Sequence, residues 1–211
     1  MKITIAWLAL LLLLSGCKPE AQKNTMDFFE TKPPKNRVEG KGFSIPVYDF
    51  EGLEALFHQG DEYTYVINFW ATWCAPCIAE LPFFERLGTA YQDEKVRVVL
   101  VNLDMAKMWE THLVPFLEKR EMKSYVVVLQ DPKQNSWIPK VYKDWSGAIP
   151  ATLIYNSGLR KFYEKPFSYE ELQSELNNFL KTKTHENPDH TTDNRSGTPG
   201  TGIQPPAAGN S

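Results

Sequence analysis

The chain has 211 residues and a formal charge of −3, and no run of Lys or Arg alternates with aromatics, which argues against a nucleic-acid surface. It holds three cysteines, one of them at the end of an apolar leader. The single remaining pair excludes a disulfide-rich scaffold and a four-cysteine metal site. Both ends are non-globular in composition, leaving one domain of about 140 residues, enough for a single core.

Lys2 gives the leader a positive start, and Ile3 to Leu14 is a nearly unbroken apolar run. It falls short of the ~20 residues a bilayer-spanning helix needs, and it ends in small residues, as secretory signals do. Leu14-Ser15-Gly16-Cys17 resembles the bacterial lipobox. That resemblance implies a signal peptide over residues 1–16, cut before Cys17, whose thiol and new amino terminus carry acyl chains. Several chains together anchor stably where one does not. The other readings are a transmembrane anchor or a plain signal peptide with a chance cysteine. Residues 17–42 are polar, carry Pro33-Pro34 and read as the lipid anchor and a flexible tether, with Phe28-Phe29 as an isolated aromatic pair.

The folded domain is expected over residues 43–181. Phe43 to Tyr48 reads as an edge strand, because Pro46 cannot donate to a ladder on both sides. Asp49 can cap a short helix reaching His58. Tyr65-Val-Ile-Asn-Phe-Trp70 is an apolar, β-branched and aromatic run, the pattern of a buried strand. A helix follows at once, its apolar face carried by Ile78, Leu81, Phe84, Leu87 and Tyr91, with Pro82 expected to kink it and Gly88 to weaken it. Val96 to Asp104 and Tyr125 to Gln130 read as further buried strands. Ala106 to Glu121 between them is helical in pattern, split near Pro115, and Trp137 to Trp145 reads as a short helix. Thr152 to Tyr155 and Arg160 to Lys165 form an antiparallel pair around Asn156-Ser157-Gly158. Ser168 and Glu171 make a capping box for a last amphipathic helix carrying Leu172, Leu176, Phe179 and Leu180. Residues 182–211 are nearly devoid of apolar side chains and read as a disordered tail.

Cys74 and Cys77 stand where the buried strand gives way to the helix, one helical turn apart and close enough to bridge. A thiol at a helix start is favoured as thiolate by the unpaired amides and the macrodipole. Thiolate is the attacking species in disulfide exchange. A purely structural bridge is a poor alternative, since so small a loop removes little entropy from the unfolded chain. His58, His112, His185 and His190 show no ligand spacing, so neither a metal nor a cofactor is expected.

Trp73-Cys74-Ala75-Pro76-Cys77 behind that strand resembles the thioredoxin superfamily. Asn68 and the continuation Glu80-Leu81-Pro82 resemble its membrane-tethered TlpA/ResA/CcmG-like branch. The resemblance spans roughly Phe43 to Lys181. It implies an α/β thioredoxin-like fold with a mixed central sheet, flanked by helices, and an inserted helical element after the second core strand. Cys74, ahead of the helix and expected to be exposed, is then the attacking thiol, and Cys77, one turn inside, the resolving one, with Trp73 and Pro76 on the rim. It implies further that Pro150 is a cis-proline facing the dithiol, turning the backbone of Ile149 towards a substrate strand. The local sequence alone allows an ordinary trans proline opening a strand. Glu80, one turn beyond Cys77, matches an acidic residue that tunes the cysteines. A solvated helix glutamate is the plain alternative, and Trp73 has core packing as its own.

The resemblance implies a thiol–disulfide oxidoreductase in a bacterial envelope, working in the reducing direction. Its expected partners are oxidised exported proteins, apocytochromes c among them, and a membrane thiol reductant as electron donor. A tethered client-binding module is the competing class. Peroxide reduction by a peroxiredoxin relative is disfavoured by the lack of a Pro-x-x-x-Thr-x-x-Cys stretch.

Overall fold

The computed structural model describes residues 32–120 and 122–185. The lipobox with Cys17, the Phe28-Phe29 pair and most of the C-terminal tail lie outside the described residues. Seven strands form one mixed sheet in the order β1-β2-β5-β4-β3-β6-β7. These are β1 (Asn36–Gly40), β2 (Phe43–Tyr48), β3 (Thr64–Trp70), β4 (Val96–Asn102), β5 (Tyr125–Leu129), β6 (Ala151–Tyr155) and β7 (Arg160–Tyr163). β3, the most apolar run, is buried along its whole length. It lies parallel to β4 on one side and antiparallel to β6 on the other. Helices cover both faces, giving the thioredoxin-like α/β fold.

The period of two along a strand divides β3 between the two faces. Val66 and Trp70 enter the core beneath α2 (Ala75–Ala90) and α5 (Tyr169–His185), with Leu81, Phe84, Leu172, Leu176 and Phe179. Tyr65, Ile67 and Phe69 enter the opposite core, which α1 (Phe50–Leu53) and α4 (Gln134–Val141) close with Phe50, Leu53 and Trp137. Asn68 shares the parity of Val66 and Trp70 and so lies on the α2 side, a polar group buried in an apolar layer. It needs a partner there.

The sheet starts earlier than Phe43. Asn36–Gly40 pairs antiparallel with Phe43–Tyr48, so the edge passes from β2 to β1, and the strand occupies part of the stretch read as tether. Pro46 is accommodated because β5 pairs only with Val47 and Tyr48, leaving the proline-bearing half of β2 with one neighbour. α2 runs unbroken to Ala90 through both Pro82 and Gly88. A Cβ on Gly88 would sit 3.3 Å from Ser124 Oγ and 3.4 Å from Val98 Cγ2, so the glycine lets α2 settle close onto β4.

The inserted element is broken as Pro115 suggested, but into three pieces: a 3₁₀ turn (Ala106–Met108), a π turn (Trp109–Leu113) and α3 (Val114–Lys119), with Pro115 in the first turn of α3. Asp49 caps α1, its Oδ1 accepting from the Gly52 amide at 3.0 Å. α4 carries Trp137 but ends before Trp145. The capping box forms at α5: the Ser168 amide donates to Glu171 at 2.9 Å, and the Glu171 amide to Ser168 Oγ at 3.2 Å. The Ser168 amide, with Lys165 and the Ser168 hydroxyl, holds the Glu171 carboxyl down at about 2. α5 also outruns the expected boundary at Lys181, reaching His185. Adding residues to an existing helix costs far less than starting one.

Candidate active site

The site begins where β3 ends. The Trp70 carbonyl accepts from the Leu103 amide at 2.8 Å, so the strand and its β4 neighbour leave the sheet together. Thr72 then donates both its amide and its hydroxyl to Asp104 Oδ1, each at 3.0 Å. The Cys74 amide closes a turn onto the Ala71 carbonyl at 3.1 Å. These bonds deliver Cys74 to the N-cap of α2 in extended backbone, with its Sγ accepting from the Cys77 amide at 3.3 Å. Pro76 sits in the first turn, where a missing N–H costs nothing.

Cys74 and Cys77 are disulfide-bonded, with Cα atoms 5.3 Å apart. Cys77 is fully buried, and Cys74 keeps only 5 % of its surface open. The first cysteine is therefore less exposed than its place before the helix suggested, because the core under α2 closes around it. Trp73 beside it is 57 % exposed, and Pro76 is also on the surface. Trp70 is wholly buried against Phe116, and Trp137 and Trp145 pack edge to face in the opposite core.

Ile149 and Pro150 arrive from the other side of β3. Ala151 pairs with Phe69 and Thr152 with Asn68, so Pro150 comes level with Trp70, at the end of the sheet where Cys74 lies. The Ile149–Pro150 bond is cis, Pro150 is buried, and Ile149 is half-buried against both cores.

Glu80 is buried, with 2 % of its surface open. Its Oε1 accepts from Asn68 Nδ2 at 2.8 Å, and its Oε2 from the Phe167 amide at 2.8 Å. Asn68 Nδ2 also donates to Thr152 Oγ1 at 3.1 Å. Burial pushes the Glu80 carboxyl up to about 7, against the pull of the Phe167 and Asn68 hydrogen bonds. Desolvation outweighs two donors because water would supply more of them to a free carboxylate. A carboxyl poised near neutrality, one turn from the buried sulfur, can accept or release a proton at physiological pH.

Nothing in the chain itself marks Asp104, Thr152 or the Phe167 amide as part of the site. A signal for the Asn68–Glu80 bond existed: Asn68 has the parity that faces α2, and Glu80 lies three residues past Cys77. Among the described residues no group of three His, Cys, Asp or Glu is placed to hold a metal ion.

A Cys-x-x-Cys disulfide at the start of the helix after the central strand of a thioredoxin-like sheet defines the class: a thiol–disulfide oxidoreductase. The chain belongs to the AhpC/TSA family, whose model matches residues 47–158. It is similar to the thiol-disulfide oxidoreductase ResA of Geobacillus thermodenitrificans, 26% identical over 141 residues, covering 64% of this chain and 75% of that protein. It is also similar to ResA of Oceanobacillus iheyensis, 29% identical over 116 residues, covering 53% of this chain but only 55% of that protein. Among solved structures it resembles StoA from Bacillus subtilis, with a TM-score of 0.44 and 26% identity over 55% of this chain and 83% of that one. Family membership describes the fold of the matched residues; the chemistry rests on the site they carry.

Proposed function

We propose that this protein is a lipid-anchored thiol–disulfide oxidoreductase of a bacterial envelope that reduces disulfides in exported proteins, apocytochromes c among them. The observation that carries the reading is the Cys74–Cys77 bridge at the mouth of α2, with the Glu80 carboxyl buried one turn beyond it. The similarity to proteins named thiol-disulfide oxidoreductase ResA supports the exchange chemistry, and the reducing direction rests on the resemblance carried by Asn68, Trp73–Cys77 and Glu80. The lipobox-like residues ending at Cys17 support the anchor, residues 1–16 the export signal, and residues 17–42 the stretch that joins the anchor to the domain over 43–181. Residues 182–211 are proposed as a C-terminal tail, of which the described part, 182–185, belongs to α5.

The cycle starts from the dithiol. The helix start stabilises the Cys74 thiolate, which attacks one sulfur of a client disulfide and releases the other as a client thiolate. The Cys77 thiol passes its proton to the Glu80 carboxylate, and the resulting thiolate attacks Cys74 Sγ. That step frees the second client thiolate and leaves the Cys74–Cys77 disulfide, so two electrons have moved to the client. A membrane thiol reductant then restores the dithiol by the same two exchanges in reverse, and Glu80 returns the proton to Cys77. Trp73, Pro76 and the Ile149–Pro150 segment form the surface the client meets.

Replacing the resolving thiol tests the scheme. Cys77→Ser in the full-length protein, expressed in a bacterial envelope, is expected to leave mixed disulfides on Cys74 that vanish on reduction. A clean, unlinked Cys77→Ser protein under conditions that keep envelope disulfides intact would overturn it.

A further inference from the structure

Trp73 and Met105 are the large apolar side chains left exposed among the described residues, at 57 % and 54 %. Single exposed apolar residues are ordinary, but these two follow the ends of paired neighbouring strands, β3 and β4, and one of them adjoins the reactive Cys74. They come from different loops that the fold ties together. Trp70 and Asn102 are register partners at the ends of β3 and β4. Beyond them the Thr72 amide and hydroxyl both donate to Asp104 Oδ1, and Asn102 Nδ2 donates to Asp104 Oδ2 at 3.1 Å. Asp104 is itself 1 % exposed, so the knot is internal. The next residue on one side is Trp73, and on the other Met105. The Trp109 indole N–H donates to the Asp104 carbonyl at 3.0 Å, pinning the Met105 loop to the inserted element as well.

On the oxidoreductase reading above, we propose that Met105, together with Trp73, forms a docking strip selecting clients that carry a large apolar side chain beside the cysteine under attack. The strip is tied to the reacting centre: Trp73 adjoins Cys74, and Asp104, next to Met105, holds the Met105 loop to the loop that carries Trp73. With only 5 % of Cys74 open, a client sulfur reaches it only by laying its own flanking residues on the surrounding surface. A flexible thioether and a broad indole, both open to solvent, suit apolar side chains of varied shape. Met105 is therefore a specificity-determining residue, and Asp104 a positioning residue that acts through the two loops.

The test uses the reduced full-length protein and two disulfide-bonded peptides identical except for the residue next to the cysteine, Leu in one and Asp in the other. Second-order exchange rates are followed by stopped flow. The wild type is expected to favour the Leu peptide by about tenfold, a difference of ~1.4 kcal/mol, and Met105→Ser to shrink that ratio to twofold or less. Met105 is mostly in solvent, so an unchanged melting temperature serves as the check on folding. Brisk exchange with a wild-type ratio near one, or a ratio that Met105→Ser leaves intact, overturns the docking strip alone. No exchange with either peptide overturns the oxidoreductase reading and the strip with it. Self-association of the wild type that Met105→Ser abolishes, seen by sedimentation, gives the strip to a second copy of the chain and also overturns the proposal.

Discussion

Cys74→Ser is expected to slow disulfide exchange by about a thousandfold or more, the scale on which loss of a catalytic nucleophile is felt. Serine keeps the N-cap role: its oxygen accepts from the Cys77 amide as the sulfur does now, at 3.3 Å. The variant should fold and melt as the reduced wild type does, so a loss of rate reports chemistry. A hydroxyl is not ionised at neutral pH and cannot form a mixed disulfide. Rates are measured by stopped flow against a small aromatic disulfide and, in cells, by the redox state of envelope clients. Client maturation that survives Cys74→Ser would mean the surface around Ile149 binds clients without exchange, and the protein would be a tethered binding module.

The second large effect belongs to Glu80. Folding raises its carboxyl from the ordinary value near 4.5 to about 7, with burial the main cause. The folded protein therefore holds a proton more tightly than the unfolded chain, and the sign follows. Below about 4.5 both states are protonated and there is no penalty. As pH rises from 4.5 to 7 the unfolded chain ionises first, and stability falls by ~1.4 kcal/mol per pH unit. Above 7 the penalty is complete at roughly 3 kcal/mol. Glu80→Gln lacks this titration. Urea melts of the reduced proteins at pH 4.5 and pH 8 should show Glu80→Gln gaining about 3 kcal/mol on the wild type between the two. The same change removes the proposed proton acceptor for Cys77 and is expected to lower the pH-optimum turnover by about a hundredfold, the usual worth of a positioned acid–base group. A flat stability difference across that interval would mean that Glu80 is solvated as an ordinary surface glutamate.

The chain discloses its site through local chemistry and hides the rest for want of it. β3 and α2 are legible because an apolar run meets a helix start within a few residues, and the two cysteines lie at the join. The capping box at Ser168 and Glu171 is legible for the same reason, its two members being three residues apart. β1 is not. Of Asn36–Gly40 only Val38 is buried, so no alternation marks the strand, and what holds it is the backbone of β2 across a tight turn. The positive φ of Gly42, +86°, is the trace that turn leaves in the sequence.

Long-range bonds are harder still. Glu80 receives a backbone amide from Phe167, a donor every residue but proline possesses, so no residue type announces it. Asp104 reads as a strand-ending acid, yet its partner Thr72 lies in another loop, and only the parallel pairing of β3 with β4 brings them together. The low exposure of Cys74 is likewise a tertiary property: position before a helix sets the backbone, while the packed layer beneath α2 decides how much sulfur remains open.

The central claim is that two sulfurs at the mouth of α2 exchange a pair of electrons with outside thiols. Equilibrating the protein across a series of dithiothreitol or glutathione buffers, then alkylating and weighing it, tests this most directly. The prediction is one reversible transition in which both thiols appear together, with a two-electron slope of about 30 mV per decade. A bridge that stays closed across the series, or a single thiol that opens without its partner, would contradict it.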